Sequence, residues 1–184
     1  SKVDESDPTV KLSGAEFTVT KPNGAKVRME EVLDRAGKGT GVYRLEGLPY
    51  GRYTVQETKA PEGFLLDENA YYVEITENGK IYEVENEAGI GFTNMAQTGS
   101  LRIEKTSSDG EVEGFSFRVT GANGYDQTFK TDKNGEIFIE GLRVGDYTVS
   151  EVSDGASANY VLPADKTGTL FADKTTVAKM HNEL

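Results

Sequence analysis

The sequence specifies an all-β chain of two tandem sandwich domains. It does so through short segments of alternating polarity, turn dipeptides between them, and one pattern written twice along 184 residues. Ala15-Glu16-Phe17-Thr18-Val19, Tyr53-Thr54-Val55-Gln56, Tyr71-Tyr72-Val73-Glu74-Ile75, Phe115-Ser116-Phe117-Arg118-Val119 and Ile137-Phe138-Ile139 each have the length and alternation of a half-buried strand. Pro22-Asn23-Gly24, Asn78-Gly79, Asp109-Gly110, Asn123-Gly124 and Asn134-Gly135 separate them, and Asn and Gly tolerate the positive φ of tight turns. Nine Tyr and eight Phe with no Trp, beside many Val, Ile and Thr, point the same way.

One stretch departs from this pattern. Between Lys26 and Ala36 the apolar Met29, Val32, Leu33 and Ala36 fall at i, i+3, i+4 and i+7, which predicts one short amphipathic helix in the first domain, covering an open sandwich edge.

The two halves answer each other. Leu12-Ser13-Gly14-Ala15-Glu16-Phe17 matches Val112-Glu113-Gly114-Phe115-Ser116-Phe117, and Leu45 to Glu57 matches Ile139 to Glu151. This is one domain used twice, over 1–97 and 98–184. The connection Ala96-Gln97-Thr98-Gly99-Ser100 is short, so limited freedom between domains is expected. Lys2 to Glu57 spans more positions than Lys105 to Glu151, and the surplus coincides with the segment 26–36.

Composition narrows function. A formal charge of −11 and a pI near 4.6 argue against a phosphate-backbone partner, which needs clustered Lys and Arg, so no nucleic acid is expected. Without cysteine there is no disulfide, zinc-thiolate site or thiol nucleophile. No apolar run is long enough to span a bilayer and no leader is recognisable, so no membrane partner is expected for this stretch.

Strand parity brings out the chemistry, because residues two apart share a face. Leu101, Ile103 and Lys105 share one; so do Tyr147, Val149 and Glu151, and again Ala178, Met180, Asn182 and Leu184. A lysine, a glutamate and an asparagine therefore point into the second core. In the first half Tyr53, Val55 and Glu57 share a face, as do Ile90, Phe92, Asn94 and Ala96. Charged groups enter an apolar core only when paired. Burial lowers a lysine pKa and raises that of a glutamate, so the pair can exist as neutral amine and protonated acid. A neutral amine is a nucleophile. Placed against the asparagine carboxamide it would attack the carbonyl carbon, with the glutamate polarising that carbonyl and relaying a proton to the departing nitrogen. The products are a Lys–Asn isopeptide bond and ammonia. The alternative is an ordinary buried Lys–Glu ion pair with a hydrogen-bonded Asn.

At these residues the chain resembles the B-type repeat domains of the collagen adhesin, a family also found in backbone and accessory pilins of Gram-positive bacteria. The resemblance rests on Gly14-Ala15-Glu16-Phe17, on Leu48-Pro49-Tyr50-Gly51-Arg52-Tyr53, and on Glu57-Thr58-Lys59-Ala60-Pro61-Glu62-Gly63-Phe64. It covers nearly the whole chain, once per half. It implies an immunoglobulin-like or transthyretin-like β-sandwich, with the first-strand lysine as nucleophile, the glutamate after the Tyr-x-Val strand as catalyst and the last-strand asparagine as electrophile. Carried over, the second copy gives Lys105, Glu151 and Asn182. The first gives Lys2, Glu57 and Asn94, Lys2-Val3-Asp4 answering the family's Lys-Val-Asp motif. Ser1 alone precedes Lys2, so its strand is expected to be short. The second copy departs from the family after its glutamate, with Val152-Ser153-Asp154-Gly155 in place of the Ala-Pro-Glu-Gly segment.

The resemblance implies a stalk or pilus-shaft segment of a cell-wall-anchored, extracellular surface protein, not an enzyme with an external substrate. Its implied partners are other domains or subunits of the same surface protein or pilus. The alternative is an adhesive module whose loops recognise a host matrix protein or glycan. No cofactor is expected. Asp132-Lys133-Asn134-Gly135-Glu136 has oxygen side chains like the start of a calcium loop, but its Gly falls at the fourth position, which favours a hairpin turn and no metal. With one histidine, His181, whose parity is opposite to that of Asn182, neither a zinc site nor a Ser/His triad is credible. Glu30-Glu31 and Asp67-Glu68 read as solvated faces or turns.

Overall fold

A computed structural model describes residues 1–83 and 92–184. The chain divides into two compact units, Ser1–Ala96 and Gln97–Leu184. The first contains β1 (Lys2–Asp4), β2 (Glu16–Thr20), β3 (Lys26–Arg28), β4 (Glu30–Leu33), β5 (Gly39–Arg44), β6 (Gly51–Lys59), β7 (Ala70–Ile75) and β8 (Phe92–Asn94). The second contains β9 (Thr98–Ser107), β10 (Ser116–Gly121), a 3-10 turn (Ala122–Gly124), β11 (Tyr125–Lys130), β12 (Glu136–Arg143), β13 (Gly145–Glu151), β14 (Lys166–Leu170) and β15 (Thr175–Asn182).

In the second unit an antiparallel sheet β11-β10-β13-β14 faces a mixed sheet β12-β9-β15. Alternation closes the sandwich: Leu101, Ile103, Ile137, Ile139 and Met180 from one sheet meet Phe117, Val119, Tyr147, Val149 and Leu170 from the other in one buried cluster. In the first unit β3-β2-β6-β7 repeats the antiparallel sheet, and β1 and β8 form a parallel pair. Phe17, Val19, Tyr53, Val55 and Phe92 make its core. Ile90, assigned by parity to the same face as Phe92, lies outside the described residues.

Corresponding side chains repeat the same contacts. Tyr53 Oη donates to Pro49 O at 2.6 Å and Tyr147 Oη to Arg143 O at 2.7 Å, each from the wall of a core to the turn four residues back. All five predicted turns end on a glycine with φ between 72° and 86°. At Gly135 space matters as well, since a Cβ would lie 2.7 Å from Lys105 O. That close approach lets Lys105 N–H donate to Gly135 O at 2.7 Å, tying the turn to the strand that carries the lysine. Of the connection between the halves, Thr98–Ser100 already belong to β9.

The helix predicted over 26–36 is absent: the segment forms β3, β4 and a turn, and the only helical turn among the described residues is Ala122–Gly124, in the second unit. Val27, Met29 and Glu31 alternate inward while Leu33 and Ala36 are exposed, so the period is two with a bulge between Glu31 and Leu33. That bulge shifts the apolar residues onto helical spacing. The turn itself repeats. Asp34 Oδ1 accepts from Ala36 N–H and Lys38 N–H, both at 2.9 Å, as Asp132 Oδ1 accepts from Asn134 and Glu136. Most of the surplus residues of the first unit therefore lengthen the arms of one shared hairpin. Glu31, expected to be solvated, faces inward and accepts from Gly14 N–H at 2.9 Å and Gly41 N–H at 3.0 Å.

Candidate functional site

Each core carries one lysine, one glutamate and one asparagine, set there by three strands. In the second unit β9 and β15 run parallel with Lys105 opposite Met180, and Asn182 lies two residues farther on the same face. In the first, Lys2 is opposite Phe92 and Asn94 lies two residues farther. The glutamates come from the facing sheet in a common register, Glu57 opposite Phe17 and Glu151 opposite Phe117. Lys2 and Asn182 have no exposed surface, and Asn94, Lys105 and Glu57 are 2%, 3% and 5% exposed; Glu151 is half-buried. The strand holding Lys2 has only three residues, yet the lysine is fully enclosed.

In the first unit Lys2 Nζ stands 3.5 Å from Glu57 Oε1. Glu57 Oε2 accepts from Asn94 Nδ2 at 2.8 Å and from Asp67 N–H at 2.7 Å. Asn94 Nδ2 also donates to Leu65 O at 2.7 Å, so both hydrogens of the carboxamide are engaged. Phe17 and Phe92 wall the amine, with centroids 5.9 and 5.5 Å from Nζ. In the second unit Asn182 Nδ2 donates to Glu151 Oε1 at 2.9 Å, Lys105 Nζ donates to Thr106 O, and Nζ lies 4.5 Å from the centroid of Phe115.

Burial sets the electrostatics. It pulls the pKa of Lys2 below the ordinary lysine value, against the opposing pull of Glu57 and Asp67, and that of Lys105 likewise, against Glu151 and Asp109. It raises that of Glu151, against the Asn182 hydrogen bond and the Lys105 charge. Burial thus moves both groups of the second unit toward their neutral forms.

Among the described residues, six buried side-chain nitrogens and oxygens have no hydrogen-bond partner, and five belong to these triads: Lys2 Nζ, Glu57 Oε1, Asn94 Oδ1, Glu151 Oε2 and Asn182 Oδ1. Buried polar atoms are normally satisfied, and each exception carries a cost. The asparagine carbonyl oxygen is left over in both units.

Parity found the two glutamates and two asparagines and Lys105. It missed the main-chain groups of Leu65 and Asp67, since strand periodicity says nothing about a loop. Leu184, assigned to the inward face, is exposed because β15 ends at Asn182. Asp132 serves its own hairpin turn. His181 is exposed, paired with Thr106 Oγ1 and Glu183.

The family model of the SpaA prealbumin-like fold domain matches residues 1–88 and again 99–184. No curated protein matches the chain significantly. Among solved structures the chain is similar to the TIE protein of Bacillus anthracis, at 28% identity and a TM-score of 0.70, over 98% of this chain and 32% of that one. It is also similar to the pilus adhesin SpaC of Lactobacillus rhamnosus GG, at 14% identity and a TM-score of 0.54, over 100% of this chain and 30% of that one. A C-terminal fragment of the same adhesin aligns with a TM-score of 0.52 at 14% identity, over 99% of this chain and 93% of the fragment. The SpaC likeness is one of fold. The chain thus spans about a third of the TIE and SpaC chains.

Proposed function

The chain belongs to the family of SpaA prealbumin-like fold domains, which it contains twice, and from that premise we propose that it is a load-bearing stalk or pilus-shaft segment whose domains are each locked by a Lys–Asn isopeptide bond. The observation that carries this reading is the repeated triad: lysine and asparagine in one parallel register, with a glutamate hydrogen-bonded to the carboxamide nitrogen in both units.

The reaction follows from that geometry. Glu57 or Glu151 takes the proton of its lysine, and the neutral Nζ attacks Cγ of Asn94 or Asn182. The C–Nδ2 bond of the tetrahedral intermediate breaks as the glutamate returns the proton to Nδ2. Ammonia leaves, the carboxylate takes the surplus proton from Nζ, and the Nζ–Cγ amide remains beside a neutral carboxyl group. The reaction happens once per domain, so the module is not a turnover enzyme. Phenylalanine walls favour the neutral amine and keep water from competing.

The bond places function in the strand order. Tension entering the second unit at Thr98 runs along β9 to Lys105, crosses the amide to Asn182 at the end of β15 and leaves through Glu183, bypassing the residues between. In the unfolded chain each cross-link closes a loop of nearly a whole domain, which by the chain-entropy model contributes about 4 to 5 kcal/mol. Resistance to force, proteolysis and heat follows. Such a segment suits an extracellular Gram-positive surface protein, joined to other domains or subunits; the related SpaC is itself described as a pilus adhesin.

Single-molecule pulling on the whole chain tests this. Neither unit should lengthen by its enclosed residues, whereas a Glu57→Ala, Glu151→Ala chain should release both. Full extension of both units in the unsubstituted chain would refute the load-bearing role.

A further inference from the structure

We infer that the main-chain N–H of Asp67 is a positioning group for bond formation in the first unit, and that Pro163 denies the second unit its counterpart. The inference rests on the reading of Glu57 and Glu151 as catalysts.

The correspondence is fixed by hydrogen bonds. Leu65 N–H donates to the carbonyl of Met95, the residue after Asn94, at 2.7 Å; Val161 N–H donates to that of Glu183, the residue after Asn182, at 2.7 Å. Gly63-Phe64-Leu65-Leu66-Asp67 and Asn159-Tyr160-Val161-Leu162-Pro163 are therefore equivalent straps across the end of the last strand. Two positions past the shared hydrogen bond stand Asp67 and Pro163. Asp67 N–H donates to Glu57 Oε2 at 2.7 Å, and a proline has no N–H to give.

That donor divides the labour of the Glu57 carboxylate. Oε2 is held between the backbone and Asn94 Nδ2, the nitrogen that must leave, and Oε1 is thereby turned to Lys2 Nζ at 3.5 Å. One oxygen is thus set to accept the lysine proton while the other holds the leaving amide in place. In the second unit Glu151 Oε1 takes the Asn182 amide, Oε2 is buried without a partner, and Lys105 Nζ turns to Thr106 O. Glu151 and Lys105 must both reorient before reaction. A hydrogen bond to a charged group, present in one unit and absent in the other, corresponds to a rate difference of about tenfold or more.

The test follows ammonia loss from each unit by time-resolved peptide mass spectrometry on the full chain, freshly made by cell-free translation. The first unit should react about tenfold faster than the second. Asp67→Ala keeps the N–H while losing the carboxylate that accepts from Tyr71 and Asn69 and favours the charged Lys2, so it is the reference; Asp67→Pro, which loses the same carboxylate and the N–H as well, should react about tenfold more slowly than Asp67→Ala. Pro163→Ala should accelerate the second unit, and it decides the matter alone if Asp67→Pro does not fold. Equal rates for Asp67→Ala and Asp67→Pro, or no acceleration by Pro163→Ala, would overturn the inference while leaving the bonds intact. No ammonia loss in the unsubstituted chain would instead overturn the isopeptide reading and this inference with it.

Discussion

Lys105 and Asn182 sit on neighbouring parallel strands, the asparagine two positions beyond Met180, the residue paired with the lysine. Two residues on one strand face keep the side chains on the same side of the sheet. The offset carries the carboxamide past the lysine backbone to where an extended lysine side chain ends. Lys2 and Asn94 repeat the relation through Phe92. A one-residue slip of either parallel pair would point the asparagine outward and abolish the site.

The glutamates can be tested one at a time. Glu57→Ala and Glu151→Ala should each restore the mass of one ammonia to the chain, confined to the unit that carries the change. Peptide mapping of each variant checks this. Each opened unit should also lose about 4 to 5 kcal/mol, the cross-link contribution, measured by denaturant unfolding.

An uncross-linked variant exposes the lysine electrostatics. In Asn182→Ala, Lys105 stays a free amine whose pKa burial holds below the ordinary 10.5. The unfolded chain then binds more protons than the folded one between the lowered value and 10.5, so stability rises with pH across that window. The unsubstituted chain, with the nitrogen in an amide, should lack this component. The gap between the urea midpoints of the two proteins should narrow as pH approaches 10.5, down to the part the cross-link contributes.

Glu31 anchors the long hairpin of the first unit. Two main-chain N–H groups, of Gly14 and Gly41, hold its pKa below the ordinary carboxylate value in spite of burial. Its folded value is depressed, so its contribution is present above the ordinary 4.5 and is lost as pH falls through the folded value. Glu31→Ala should cost about 1 to 3 kcal/mol at neutral pH and flatten the acid limb of the stability curve. A solvated Glu31 would give neither effect.

The tyrosines at the turns offer a matched pair. Tyr53→Phe and Tyr147→Phe each remove a buried hydroxyl donor and nothing else, and each should cost about 1 kcal/mol by thermal unfolding.

Much of this architecture is legible in the sequence because a sandwich writes its burial with period two. Leu101, Ile103 and Lys105, or Tyr147, Val149 and Glu151, declare their faces without any neighbour being known. The same rule failed where the period was interrupted: the bulge after Glu31 moved Val32 and Leu33 onto helical spacing, and a strand read as a helix. Loops were opaque for a different reason. Asp67 and Leu65 act through main-chain atoms, which every residue except proline supplies alike, so only the contrast with Pro163 marks the position. Glu31 was misread because a charge pair in sequence does not reveal which carboxylate meets amide groups from distant turns.

The central claim is covalent, and intact mass spectrometry of the full chain tests it most directly. Lys2–Asn94 and Lys105–Asn182 bonds together predict a mass lower than that of the sequence by two molecules of ammonia, with cross-linked peptides joining those residues. A mass equal to that of the unmodified sequence would contradict the account.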